Sequence, residues 1–239
     1  MISSNIGEVI SIFFSSILGL PDGFNSIQLL WVNLVTDGIP AMALSFNPPD
    51  ADIMVKPPRT DKDGIVDWWV LVRYFAIGLY IGIATVGIFL YWYMGYGWAN
   101  DGHQLVTFSQ LQRWGECPNW SDFTVKNFEN FDFSQNPCSY FTVGKAKAST
   151  LSLSVLVMIE MFNAFNAISE NQSLFSTGMM GNPFLILGVI SSVLLHCVII
   201  YIPSMNFLFS TLPMDLNVRD KPTILALFSP SNFFRIGSS

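Results

Sequence analysis

Residues 74–94 read YFAIGLYIGIATVGIFLYWYM, a run of 21 positions without a charged side chain. A helix rising 1.5 Å per residue needs about 20 such positions to cross the hydrocarbon core of a bilayer. Trp68, Trp69 and Arg73 flank the run on one side, and Tyr91, Trp92 and Tyr93 on the other. Amphipathic rings at both ends are the pattern of an interfacial belt. This stretch therefore predicts a transmembrane helix, and Gly78 and Gly82, four apart, together with Gly87, predict close approach of a neighbouring helix.

Four more apolar segments surround it. They cover about residues 2–20, 27–44, 149–168 and 184–202, so the fold class is an all-α membrane protein, a bundle of about five transmembrane helices. The first stops at the Pro21-Asp22-Gly23 turn signal, and the last lies between Pro183 and Pro203. In the second, Gly38 and Pro40 follow Asp37 directly, which predicts unwinding near Asp37, because proline removes a donor and glycine weakens a helix. Between the spans lie a Pro- and Asp-rich loop over 46–67 and a long polar loop over 95–147. Beyond residue 216 the apolar patch 224–228 is too short to cross, which leaves 217–239 as a tail.

Composition excludes other classes. Charged residues make up only 12%, half the share of an ordinary soluble domain, and the net charge of −6 offers no basic face to nucleic acid. No cleavable secretory signal is visible, because Glu8 interrupts the first apolar stretch and no basic flank precedes it. Lys56, Arg59, Lys62 and Arg73 balance Lys145 and Lys147 across the bundle, so the basic residues do not decide orientation. Cys117 and Cys138, in the polar loop, could pair in an oxidising compartment, with two free thiols as the alternative. The loop also holds an Asn119-Trp120-Ser121 glycosylation sequon.

The chemistry lies in the polar residues within the spans. Asn5 and Glu8 are three apart and share a helix face; Asn33, Thr36 and Asp37 have i, i+3, i+4 spacing; Glu160 sits near the centre of the fourth span. No Lys or Arg lies inside any of the five spans, so internal salt bridges do not neutralise these acids. Each has a plainer reading: Asn5 and Glu8 as a capping box, Thr36-Asp37-Gly38 as a turn, Glu160 as a protonated acid bonded to a neighbouring helix. One oxygen-lined cation site collects all three acids in a single explanation. Five to eight hard oxygens suit calcium rather than zinc or copper. His196 and Cys197, adjacent and hence on different helix faces, read as core packing.

Four stretches carry a family resemblance: SSNIGEV at 3–9, QLLWVNLVTDGIPA at 28–41, FNPPDADIMVKPPR at 46–59 and LSVLVMIEMFNAFNAISENQSL at 153–174. They resemble the fifth, sixth and eighth membrane helices, and the loop after the sixth, of sarco/endoplasmic-reticulum-type calcium pumps of the P-type ATPase class. The resemblance covers residues 1–217. It implies that Asn5, Glu8, Thr36, Asp37 and Glu160 form one calcium site and that Asn33 and Asp37 contribute to a second. It also implies a cytosolic 46–67 loop, a lumenal 95–147 loop, a multi-pass endoplasmic reticulum location and an unused Asn171-Gln172-Ser173 sequon. The catalytic domains and their DKTGT phosphorylation motif are absent, so the chain alone is expected to hydrolyse no ATP. ATP and magnesium belong to the full-length pump, and the expected partners are the lipid bilayer and the missing pump domains or other membrane helices.

Overall fold

A computed structural model describes residues 2–47, 68–95, 103–120, 123–127, 131–167 and 182–214. The 46–67 loop is thus outside the described residues from 48 onward, as are Ser121 of the first sequon, the second sequon and the 217–239 tail. Described elements are α1 (Ile2–Ile17), α2 (Ser26–Trp31), a π-helical turn (Val32–Thr36), α3 (Gly38–Leu44), α4 (Trp68–Met94), α5 (Phe108–Gln112), α6 (Ala146–Asn166), α7 (Pro183–Tyr201) and α8 (Pro203–Phe209), with two 3₁₀ turns at Trp114–Asn119 and Pro137–Phe141. Four helical stretches are long and apolar enough to cross a membrane, namely Ser26–Leu44, Trp68–Met94, Pro137–Asn166 and Pro183–Tyr201, and Ile2–Ile17 is a shorter apolar helix. Among the described residues the fold is an all-α bundle. The second span is α2, the π turn and α3 in succession.

Several boundaries differ from the sequence reading by a few residues, and two have a local cause. α4 begins at Trp68, six residues before the uncharged run, because Arg73 is exposed on the helix surface and does not end it. α1 ends at Ile17, where Gly19 adopts a φ of +68° that favours glycine and turns the chain.

Contact between α1 and α4 is set by missing side chains. A Cβ on Gly82 would stand 2.5 Å from Ile10 Cγ2, one on Gly78 2.6 Å from Ile6 Cγ2, and one on Gly7 2.7 Å from Ile81 Cγ2. Backbones this close gain dispersion contacts, which drive helix association where lipid competes for apolar surface. Gly87 has no part in it; nothing lies within 4 Å of the Cβ it lacks, so its predicted packing role is corrected.

α4 next meets α6, where Ser152 Oγ donates to the Thr85 carbonyl at 3.1 Å. α3 meets α7 through Gly188, whose missing Cβ would lie 3.3 Å from Ala43 Cβ, and through Asn182, which donates to the Ala43 carbonyl at 3.1 Å and caps Leu185 N–H. His196 on α7 reaches Ser154 Oγ on α6 at 3.0 Å, so the histidine packs inside as expected, whereas Cys197 next to it is exposed. Helical geometry turns adjacent residues about 100° apart, which explains the split.

At the end of the bundle where α4 stops and α6 starts, the loop folds over a buried aromatic group. Trp92, Tyr93, Phe133, Tyr140 and Phe141 are almost fully buried, Tyr93 and Tyr140 meet edge to face at 5.5 Å, and Tyr140 Oη donates to the Gln104 carbonyl at 2.7 Å. Cys117 and Cys138 are joined by a disulfide that ties the two 3₁₀ turns together. α8 returns to the same end, where Phe209 packs on Trp31 at 5.1 Å and its carbonyl accepts from Gln28 Nε2 at 2.9 Å.

Candidate cation site

The second span stays helical past Asp37 but changes pitch. Asp37 N–H donates to the Val32 carbonyl, five residues back, at 2.8 Å. The expected unwinding is therefore a widening by one residue, and the helix resumes at Gly38. Pro40 supplies the cause: an α-helix would aim the N–H of residue 40 at the Thr36 carbonyl, and proline has none. A π turn beside a site is a common way of re-aiming side chains.

Four of the six residues singled out in the spans, Glu8, Asn33, Asp37 and Glu160, come together here. Asn33 Nδ2 donates to Glu8 Oε2 at 2.7 Å, joining the π turn to α1, and also to the Leu29 carbonyl at 3.1 Å. Glu160 on α6 is 2% exposed and lies within electrostatic reach of both Asp37 and Glu8. A cavity of about 70 Å³ lies between α1, α3 and α6, lined by Ser4, Asp37, Glu160 and Asn163 among others. That is room for several water-sized groups. Thr36 is fully buried in the π turn.

Asn5 is different: it stands exposed on α1, in a strip with Ile2, Val9 and Ile12, and does not join the others. It lies inside α1 and so cannot be an N-cap.

On three of the residues singled out in the spans, four buried oxygens take part in no hydrogen bond among the described residues. They are Glu8 Oε1, Thr36 Oγ1 and both carboxyl oxygens of Glu160. Such a group costs about 1–3 kcal/mol when neutral and more when charged, so the arrangement is poised for something that binds oxygen. The donor set is entirely oxygen and amide, which suits a hard cation. Among the described residues no three Asp, Glu, His or Cys side chains stand close enough to hold an ion by themselves.

Sequence reasoning missed Ser3, Ser4 and Asn163. Asn163 donates to Ser3 Oγ at 3.1 Å across the α1–α6 contact. Their spacing signalled it: Asn163 is one turn beyond Glu160, and Ser4 one turn before Glu8.

Comparison with known proteins agrees with this architecture. Residues 21–230 match the family model described as cation transporting ATPase, C-terminus. The chain is 54% identical over 226 residues to calcium-transporting ATPase 4, endoplasmic reticulum-type, of Arabidopsis thaliana, covering 91% of this chain and 21% of that protein. It is 52% identical over 215 residues to a calcium-transporting ATPase of Plasmodium falciparum, covering 90% of this chain and 17% of that one. An endoplasmic reticulum calcium ATPase of Aspergillus fumigatus is 43% identical over 231 residues, 96% of this chain and 22% of the relative. The chain thus spans about a fifth of the length of the curated relatives it matches, and with a family model covering most of its residues it belongs to the cation-transporting ATPase C-terminal family.

Proposed function

We propose that this chain is the membrane-embedded, calcium-binding portion of an ATP-driven calcium pump of the endoplasmic reticulum membrane. The observation that carries the reading is the group of buried oxygens on Glu8, Thr36 and Glu160 that no described residue satisfies, in an apolar bundle where Asp37 and Glu160 line a small cavity. Calcium, as cargo, would take oxygens from Glu8, Asn33, Thr36, Asp37 and Glu160, with Asn5 added once a further helix covers its face. Protons would replace it on Glu8 and Glu160 when the site is empty, because bare carboxylates in a lipid-shielded interior are costly. Coupling to ATP and magnesium would come from parts of the longer pump that carry the phosphorylation chemistry.

The test is calcium-45 binding to the purified chain in detergent, compared with Glu8→Gln and Asp37→Asn. We expect weak saturable binding by the original chain and at least tenfold weaker binding by each variant. Equal binding by all three would remove the assignment.

A second reading is favoured by the exposed Asn5 amide amid Ile2, Val9 and Ile12: the chain associates with other membrane helices or with a complete pump, because an amide on an apolar helix face gains a partner by doing so. Co-purification with a full-length pump, abolished by Asn5→Leu and without calcium binding by the chain itself, would favour this reading.

A further inference from the structure

The Thr36 carbonyl is the weak point of the broken span. Pro40 offers it no N–H, and the next donor along the chain, Ala41 N–H, is taken by the Asp37 carbonyl at 3.1 Å. The donor that reaches it comes from a different helix: Ser192 Oγ of α7 lies 3.2 Å from Thr36 O. Ser192 is 0% exposed, as is Thr36. One turn further along α7, His196 holds Ser154 of α6, the helix that carries Glu160. α7 thus bridges the two elements that bear Asp37 and Glu160.

We propose that Ser192 is a positioning residue: its hydroxyl replaces the hydrogen bond that Pro40 denies to Thr36, and so fixes the pitch at which Thr36 and Asp37 are held. The consequence for calcium rests on the proposed function above. The consequence for the backbone does not. A buried carbonyl stripped of its donor pays the desolvation cost of that group, and the π turn, with one fewer bond, opens more often.

Pro40 makes the idea separable from general damage. Pro40→Ala restores an N–H at residue 40 that can bond Thr36 O within the helix, so a chain with that change no longer needs Ser192. Hydrogen exchange read by mass spectrometry on the full chain in detergent, without calcium, should show the peptide over 32–44 exchanging roughly five- to tenfold faster in Ser192→Ala than in the original chain, the size of one buried hydrogen bond. Peptides from α1 and α4 should keep their rates. The double variant Pro40→Ala/Ser192→Ala should exchange within twofold of Pro40→Ala alone, whatever the absolute rate of either. Unchanged exchange in Ser192→Ala, or an equal acceleration in the Pro40→Ala background, would overturn the proposal. Calcium-45 binding to the same proteins forms a separate arm. Affinity should fall in Ser192→Ala and not fall further on adding that change to Pro40→Ala, and no binding by the original chain would sink the cation reading while the exchange arm still decides the role of Ser192.

Discussion

Replacing Gly82 by alanine tests whether the α1–α4 contact sets the position of Glu8. The new Cβ would stand 2.5 Å from Ile10 Cγ2, 3.1 Å from Ile10 Cβ and 3.2 Å from the Ser11 backbone nitrogen. Carbon atoms rest at about 3.5–4.0 Å, so α1 must retreat by roughly 1 Å or more. A swing of the isoleucine does not relieve this easily, because Cγ2 sits on a β-branched carbon with one strongly favoured helical rotamer. Glu8 is two residues before Ile10 on the same rigid helix. A 1 Å shift of α1 would stretch the 2.7 Å bond from Asn33 Nδ2 to Glu8 Oε2 beyond hydrogen-bonding range. Overpacking costs about 1–3 kcal/mol and the lost hydrogen bond to the protonated Glu8 about 0.5–1.5 kcal/mol, of which relaxation recovers part. The expected net loss is about 1–3 kcal/mol, read by SDS titration with far-ultraviolet circular dichroism. The double variant Gly82→Ala/Ile10→Leu, which moves the branch away from the β-carbon, should recover about half of that loss. Full stability in Gly82→Ala, or no recovery in the double variant, would show that the packing distance does not govern this interface.

Three further outcomes follow from particular contacts. Gly87→Ala points into open space and should be neutral or stabilising by up to about 1 kcal/mol in the same titration, since alanine is the better helix former. Cys117→Ser opens the disulfide to Cys138, 21 residues on; the chain-entropy estimate for a loop of this size is about 3 kcal/mol, and the loss should appear as faster proteolysis of the loop around Trp92 and Tyr140 while helical content is kept. Asp132 accepts from the Ser134 hydroxyl and N–H and from Asn127 Nδ2, which hold its carboxyl below the usual aspartate range. A depressed folded-state value means that this local order is present above the ordinary aspartate range and lost as pH falls through the lower folded-state value, so a carbon-detected NMR titration of Asp132 should give a midpoint below that of an unfolded-chain aspartate, and a midpoint at or above it would refute the hydrogen-bond assignment.

Much of the bundle was legible because its signals are local. The uncharged run at 74–94 needed only a length and two aromatic flanks to be read as a span, and the four-residue step from Gly78 to Gly82 named the surface that meets α1. Gly87 looked the same on paper and meets no neighbour among the described residues, because residue type gives space for a neighbour and only the fold supplies one. The acids were legible for a related reason: a carboxylate inside an apolar span has few ways to exist, so Glu8, Asp37 and Glu160 declared themselves before any partner was known. Asn5 shows the limit. Its three-residue spacing from Glu8 put both on one face, yet a helix face is about 100° wide, and that is enough for Glu8 to be buried while Asn5 looks outward.

The break at Asp37 shows most clearly where sequence reasoning stops. Gly38 and Pro40 foretold trouble in the helix, and an unwound segment is the usual expectation for a proline inside a span. A chain in lipid cannot leave several carbonyls without donors, however, because water is not there to replace them. The π turn keeps the Asp37 N–H bonded to the Val32 carbonyl, the Thr36 carbonyl that Pro40 cannot serve is met by a single foreign hydroxyl, and the sequence carries no mark by which Ser192 could be recognised as its source. The two are 156 residues apart. Local grammar states that a bond must be missing near residue 36; only the packing of α7 against α3, through Gly188 and Asn182, determines which side chain arrives to make it. Binding sites built on interrupted helices share this property: the break is written locally, and its repair is tertiary.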